Sequence, residues 1–208
     1  MINKIITAIT WRVWNLISVI KWEFSKTGIP PHSIKQRMLR LYKNRHAMNV
    51  LIETGTFKGY MIKSMLKHFK VIHSIELNEV FFNNAKELFK KYSFVTIWKG
   101  DSEFVLPKVL EKISESCLFW LDGHCCIDEG KITSIGLKNT PILKEIISVA
   151  RHQKAHNLKH VILIDDARLF NGTEDYPSIE EIKKLIFDNF VDYEVIIKND
   201  IIACSPLK

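Results

Sequence analysis

The sequence predicts an α/β protein: an open, mostly parallel sheet with helices on both faces, finished by an antiparallel hairpin. Three observations predict it. From residue 49 onward, short apolar runs of β-type residues alternate with longer segments of helical periodicity. The first of these runs, Asn49-Val-Leu-Ile-Glu53, leads straight into a turn with two glycines four apart, Gly55 and Gly59. Toward the other end the rhythm breaks. Tyr193 to Lys198 and Ile201 to Ser205 are β-type runs separated only by Asn199-Asp200, a pair suited to a tight hairpin.

Each element follows in order. Strands are expected near 49–53, 71–76, 94–98, 117–122 and 160–165, and helices over 60–69, 79–91, 103–114, 140–155 and 178–189. Strands separated by helices imply parallel pairing through right-handed crossovers. Thr140-Pro141 opens its helix with proline in the first turn. Asp175-Tyr176-Pro177-Ser178 leads into the last helix and could line an acceptor pocket. The connection from Cys125 to Thr140 is polar, contains glycine and exceeds an ordinary βα loop, so it is expected to cover a site at the strand ends.

At 208 residues and 47% hydrophobic, the chain can bury one core between two helical layers. Residues 48–208 form that body, and residues 1–47 a basic amphipathic helical segment before it. The net charge of +7 belongs to this segment: residues 1–50 hold nine basic residues against one acid, Glu23, whereas residues 51–208 hold 21 basic and 22 acidic. Over 4–24, Ile5, Ile9, Val13, Leu16 and Ile20 form one stripe with Ile6 and Ile17 beside it, while Trp11, Trp14 and Trp22 fall among the polar positions. Two readings follow: residues 1–25 lie on a membrane surface, or the helix packs its isoleucines on the domain or on a second subunit of a homo-oligomer. Arg12 interrupts a stretch already too short to span a bilayer. After a hinge at Gly28-Ile29-Pro30-Pro31, Lys35, Arg37, Arg40, Lys43 and Arg45 continue the basic run and could meet anionic lipid or an acidic substrate. No nucleic-acid partner is expected, because no reader motif accompanies the charge.

Four cysteines without C-x-x-C spacing, Cys117, Cys125, Cys126 and Cys204, indicate a reducing, cytoplasmic setting, at the inner face of the membrane where residues 1–25 are read as a membrane contact. Contiguous His124, Cys125 and Cys126 point apart and make a poor zinc site.

The chemistry is expected where the strands end, because ligands of open α/β sheets bind beyond their carboxyl edges. Those ends carry acids: Glu53, Glu76, Asp101 after Gly100, Asp122, and the pair Asp165-Asp166. Any one could be a helix cap; five in succession point to a ligand, since an unpaired buried carboxylate is costly. In the first turn Phe57 stands where a dinucleotide site has its second glycine, which disfavours a pyrophosphate. Glu76 lies 21 residues after Gly55, the interval at which a strand-end carboxylate accepts bonds from the ribose hydroxyls of a nucleoside. Asp122, Asp165 and Asp166 offer hard oxygens suited to Mg²⁺ or another divalent cation. His124, beside them, is either a general base or a histidine bonded to a loop carbonyl. Trp98 either walls a base pocket or packs in the core, and Arg168 either holds an anionic group or is solvated.

Glu53-Thr-Gly-Thr-Phe-Lys-Gly-Tyr60 resembles the first motif of class I S-adenosylmethionine (SAM)-dependent methyltransferases, and most of all the catechol and caffeoyl-CoA O-methyltransferases. A parallel sheet closed by a hairpin is similar to their seven-stranded, Rossmann-like fold. The resemblance, over residues 48 to 205, implies SAM as cofactor, with Glu53, Gly55, Thr56 and Gly59 around its methionine part, Glu76 on its ribose, and Asp101 with Ser102 near its adenine. His160 to Gly172 resembles the fifth-strand motif of that branch, which implies Asp122, Asp165 and Asp166 as ligands of a divalent metal ion. Asp166 departs from it, because the catechol branch has Asn there. An Asp-Asp pair is similar to the macrocin-type sugar O-methyltransferases, so the implied acceptor is a hydroxylated small molecule, a sugar or glycan precursor, with His124 and Asp122 as catalytic residues. The other reading is a non-catalytic, membrane-associated binding protein on the same fold.

Overall fold

The strand that opens the body, β1 (Val50–Thr54), is buried along its whole length, and so is β4 (Cys117–Leu121) beside it. β4 reads as an unbroken apolar run, and β1 as one up to Glu53, because helices cover each face. The computed structural model describes residues 16–25, 28–123, 127–128, 131–132 and 140–207. With β2 (Val71–Glu76), β3 (Val95–Lys99), β7 (Val161–Ile164), β8 (Tyr193–Lys198) and β9 (Ile201–Pro206), the two strands form a seven-stranded sheet in the order β3-β2-β1-β4-β7-β9-β8. The first five strands are parallel; β9 runs antiparallel to both β7 and β8. Asn199 and Asp200 join β8 to β9 with φ of 57° and 60°. That left-handed pair is what a two-residue type I′ hairpin needs. This is the open, Rossmann-like sheet and C-terminal hairpin that the sequence predicts.

Alternation along the strands divides the core in two. Ile52, Phe119 and Ile162 face α5 (Ser102–Leu110), α6 (Ile142–His156) and α7 (Ile179–Asn189), which add Leu106, Ile146 and Ile182. Leu51, Trp120 and Leu163 face α2 (His32–Arg45), α3 (Tyr60–Met65) and α4 (Glu79–Phe89), which add Leu39, Ile62 and Phe89. Ser178 caps α7 in a reciprocal box with Glu181. The helix expected over 60–69 is shorter: α3 ends at Met65, and Phe69 is buried in the second cluster after a turn. The long connection contains a short pair, β5 (Ile127–Asp128) and β6 (Lys131–Ile132); the rest of the expected cover over 124–139 lies outside the described residues.

Residues 16–25 are helical (α1). Of the two readings for this helix, packing of the isoleucines on the domain does not hold over these residues. Trp22 is buried, whereas Leu16, Ile17, Ile20 and Phe24 are exposed, Phe24 at 88%. The indole offers more area to bury than an isoleucine, and Glu23 on the same helix pairs with Arg37 of α2 at 2.5 Å. Ile5, Ile9, Val13, Trp11 and Trp14 lie outside the described residues. Helix α2 adds Met38, Leu39 and Tyr42 to the second cluster, and its Lys35 is buried instead of joining the basic surface. Among the described residues no helix is long and apolar enough to cross a membrane.

Candidate functional site

The carboxyl ends of β1, β2, β4 and β7 converge on the turn after β1. Gly55 has φ of 82°, and a Cβ there would sit 2.3 Å from the carbonyl oxygen of Asp122. The glycine is therefore required by the approach of the end of β4, not only by room for a ligand. The N–H groups of Gly55 and Thr56 both donate to the Ile75 carbonyl (2.9 and 3.3 Å), and that of Gly59 to the Thr56 carbonyl (2.8 Å). Gly59, at φ of 71°, packs on the Phe89 ring and precedes α3, whose six residues are too few for an appreciable dipole. These three turn residues thus spend their N–H groups within the protein.

Glu76 ends β2 nearly fully buried. Its Oε2 accepts from the Phe57 N–H and its Oε1 from the Asn78 N–H, both at 2.7 Å. Phe57 adopts φ of 48° and stacks edge-on against Phe81 at 4.7 Å, so the bulky residue in place of a second glycine also fixes the acid. A carboxylate has about four lone-pair positions, so Glu76 keeps acceptor capacity toward arriving hydroxyls. Burial pushes its pKa up against the pull of the Asn78, Phe57 and Leu77 amides and of Lys99. Glu53 lies deeper. Ser74 Oγ donates to it at 2.5 Å and lies 2.6 Å from Thr56 Oγ1, and burial pushes its pKa up to about 8. The side chains of Glu53 and Thr56 thus brace the turn from below.

Asp101 caps α5 by accepting from the Glu103 N–H at 2.9 Å, which is the capping alternative for that acid. Ser102 follows it, buried. Around Gly123 gather Thr54 Oγ1, Ser102 Oγ and Glu145 Oε1, at 3.1, 3.3 and 3.3 Å from where a Cβ would lie. Trp98 donates to His73 Nδ1 at 3.2 Å and lies under Lys112 beyond the end of α5, so it packs on the sheet and not at a base pocket.

Asp122, Asp165 and Asp166 come together as the sequence predicts, one carboxylate oxygen from each lying within 4.8 Å of the others. Such oxygens could suit a divalent ion. Yet Lys35 Nζ is among them, 2.5 Å from Asp165 Oδ2 and 2.9 Å from Asp166 Oδ1. Burial alone would lower the lysine pKa; the charges of Asp165, Asp166 and Asp122 outweigh it and hold the ammonium protonated. Arg168 Nη1 also donates to Asp166 Oδ1 at 2.8 Å and pairs with Asp200 in the hairpin turn, so this exposed guanidinium is engaged by acids of the protein itself. An ammonium bonded to these oxygens competes for them with a metal ion and repels it. The three acids expected at a metal site are therefore together, with Lys35 Nζ bonded to two of them. His124 lies outside the described residues.

Sequence reasoning missed Lys35 and Glu145. Both carried a signal, a charge on an apolar stripe: Lys35 with Ile34, Met38 and Leu39, and Glu145 with Ile142, Ile146 and Val149.

Comparison with protein-family models and with curated protein sequences finds no match. Solved structures do match. The O-methyltransferase from Bacillus cereus in complex with S-adenosylhomocysteine (SAH) superposes with a TM-score of 0.58 at 12% identity, covering 93% of this chain and 89% of that one. The fold is that of the class I methyltransferases. The SAH-bound Podospora anserina methyltransferase PaMTH1 gives 0.56 at 14% identity over 97% and 96% of the two chains. The SAM complex of TomG from Streptomyces achromogenes, an O-methyltransferase of tomaymycin synthesis, gives 0.57 at 12% over 94% and 88%.

Proposed function

We propose that this protein is a SAM-dependent O-methyltransferase whose acceptor is a hydroxylated small molecule, with a sugar or glycan precursor as the first class to test. The observation that carries the reading is the fixed carboxylate of Glu76 at the end of β2, beside the Gly55 turn, in a fold shared with structures that hold SAM or SAH. Glu76 would accept from the ribose, the main chain from Gly55 to Gly59 would flank the methionine part, and Asp101 with Ser102 would border the base. Bound SAM supplies an activated methyl on a sulfonium; the C–S bond breaks as the acceptor oxygen forms its bond to carbon. The chain must then position the hydroxyl and take its proton. Asp122, half-buried at the rim of β4, is the proton acceptor in this reading. A polyol suits a rim of carboxylates because each is a strong hydrogen-bond acceptor.

Calorimetric titration with SAM, on wild type and Glu76→Ala, tests the cofactor site: affinity should fall at least about tenfold in the variant, as for a lost bond to a charged group. Unchanged affinity would refute the assignment. Binding without methyl transfer to any of a panel of hydroxylated acceptors would favour the binding-protein reading.

We also propose that the exposed Leu16, Ile17, Ile20 and Phe24 rest on an anionic bilayer, because the segment that carries them is the basic one. Full-length protein should float with vesicles containing phosphatidylserine and not with neutral ones. Protein that never floats but dimerises through these residues would replace the membrane with a second copy.

A further inference from the structure

We infer that Lys35 is the resident cation of the Asp122, Asp165 and Asp166 cluster, standing where a divalent metal ion would stand, so that the site works without one. Its functional half rests on the methyl-transfer reading; its binding half does not.

Both oxygens of Asp165 are already engaged. Its Oδ2 accepts from Lys35 Nζ at 2.5 Å and its Oδ1 from the Asp166 N–H at 2.8 Å. Asp166 Oδ1 is shared by Lys35 Nζ at 2.9 Å and Arg168 Nη1 at 2.8 Å. A divalent ion would need these oxygens at about 2.0–2.6 Å, beside an ammonium that it would repel. Nor can the lysine readily swing away. Its stem leaves α2 between Ile34, Met38 and Leu39, all buried, and the helix packs on α3 and β4. Aliphatic stem in the core and charged head on the acids is the arrangement that holds a long cationic side chain in one place. The partners are 130 residues apart in sequence, so the pair is a product of the fold and not of local chain geometry.

The chemistry differs from that of a metal ion. An ammonium neutralises carboxylates and donates hydrogen bonds, but it is no Lewis acid and does not lower a bound hydroxyl's pKa as a divalent ion does. Proton removal then falls to a side chain, the role given to Asp122 above. Lys35 also makes α2 part of the site, so the N-terminal segment reaches the acids through one side chain.

The test is titration of full-length protein with Mn²⁺ alone, with free ion followed by electron paramagnetic resonance, on wild type, Lys35→Ala and Lys35→Ala/Asp165→Asn. Wild type is expected to take up no ion at this site up to about 1 mM, the weak limit for protein sites of hard cations. Lys35→Ala is expected to gain one Mn²⁺ per chain and the double variant to lose it. Wild type that binds one Mn²⁺, lost in Asp165→Asn, overturns the inference, as does a Lys35→Ala protein with native circular dichroism that binds none. Lys35→Gln substitutes if the alanine variant does not fold. Methyl transfer should also be unchanged by a chelator; transfer abolished by chelator and restored by Mg²⁺ overturns the functional half. Absence of transfer to every acceptor bears instead on the methyl-transfer reading, and the Mn²⁺ result decides this one.

Discussion

Acidification should destabilise the protein through one buried ring, His160. The Cys117 N–H donates to His160 Nδ1 at 3.0 Å, so the neutral ring carries its proton on Nε2 and donates it to His152 Nδ1 at 3.1 Å. His152 in turn donates its Nε2–H to the Ile113 carbonyl at 2.9 Å. A second proton on His160 would face the Cys117 N–H, donor against donor. Burial, with His152 and His156 nearby, brings its pKa from 6.5 down to about 3. Because the folded value lies below the unfolded one, the unfolded chain takes the proton first. Stability from this ring is full above about pH 6.5 and is lost as pH falls toward about 3. Each pH unit in that window is worth about 1.4 kcal/mol, so the loss at pH 4.5 is about 2–3 kcal/mol. Urea unfolding of wild type and His160→Asn at pH 7.5 and 4.5 isolates it, since the asparagine oxygen can still accept from Cys117 but does not titrate. Wild type should lose about 2–3 kcal/mol more than the variant between the two pH values. Equal losses would refute the neutral, donor-blocked ring.

Glu53 runs in the opposite direction: its folded pKa of about 8 lies above the ordinary 4.5, so the folded state holds the proton longer and stability falls as pH rises through that interval. Glu53→Gln should flatten this slope and exceed wild type at pH 9 by up to about 5 kcal/mol, read from urea curves at pH 5 and 9; a variant that keeps the wild-type slope would contradict it. Gly55→Ala places a Cβ 2.3 Å from the Asp122 carbonyl oxygen at φ of 82°, and should cost at least about 3 kcal/mol, or roughly 6–12 °C in Tm by calorimetry. A Tm within about 2 °C of wild type would mean that the turn and β4 are not so close. Asp122→Asn should slow methyl transfer about 100-fold or more with SAM affinity little changed; an unaltered kcat would remove it as proton acceptor.

The strands were legible because each is an apolar run bounded by an acid or a glycine, and the hairpin because Asn199-Asp200 suits its turn. The place of Glu76 at the end of β2 and of the three aspartates at strand ends is legible in the sequence, a position that topology fixes. What the acids meet was not. Lys35 could be read as a charge on an inward stripe, but its partners depend on how α2 docks, and no local pattern encodes that. Asp101 was open between two roles that the sequence cannot separate, because an Asp after a strand caps a helix and faces a crevice at the same place. The orientation of α1 stays open in the sequence for a related reason: both of its faces carry large apolar groups, so hydrophobic periodicity alone does not choose between Trp22 and the isoleucines.

The position of β9 between β7 and β8 bears on how the chain is made. On the ribosome β7 (Val161–Ile164) emerges with its outer edge bare, and β8, which follows only at Tyr193–Lys198, has no place on the sheet until β9 follows it. Until then the nascent protein presents an apolar strand edge to its surroundings. Recruitment of chaperones should therefore peak in the interval before residues 201–206 leave the exit tunnel.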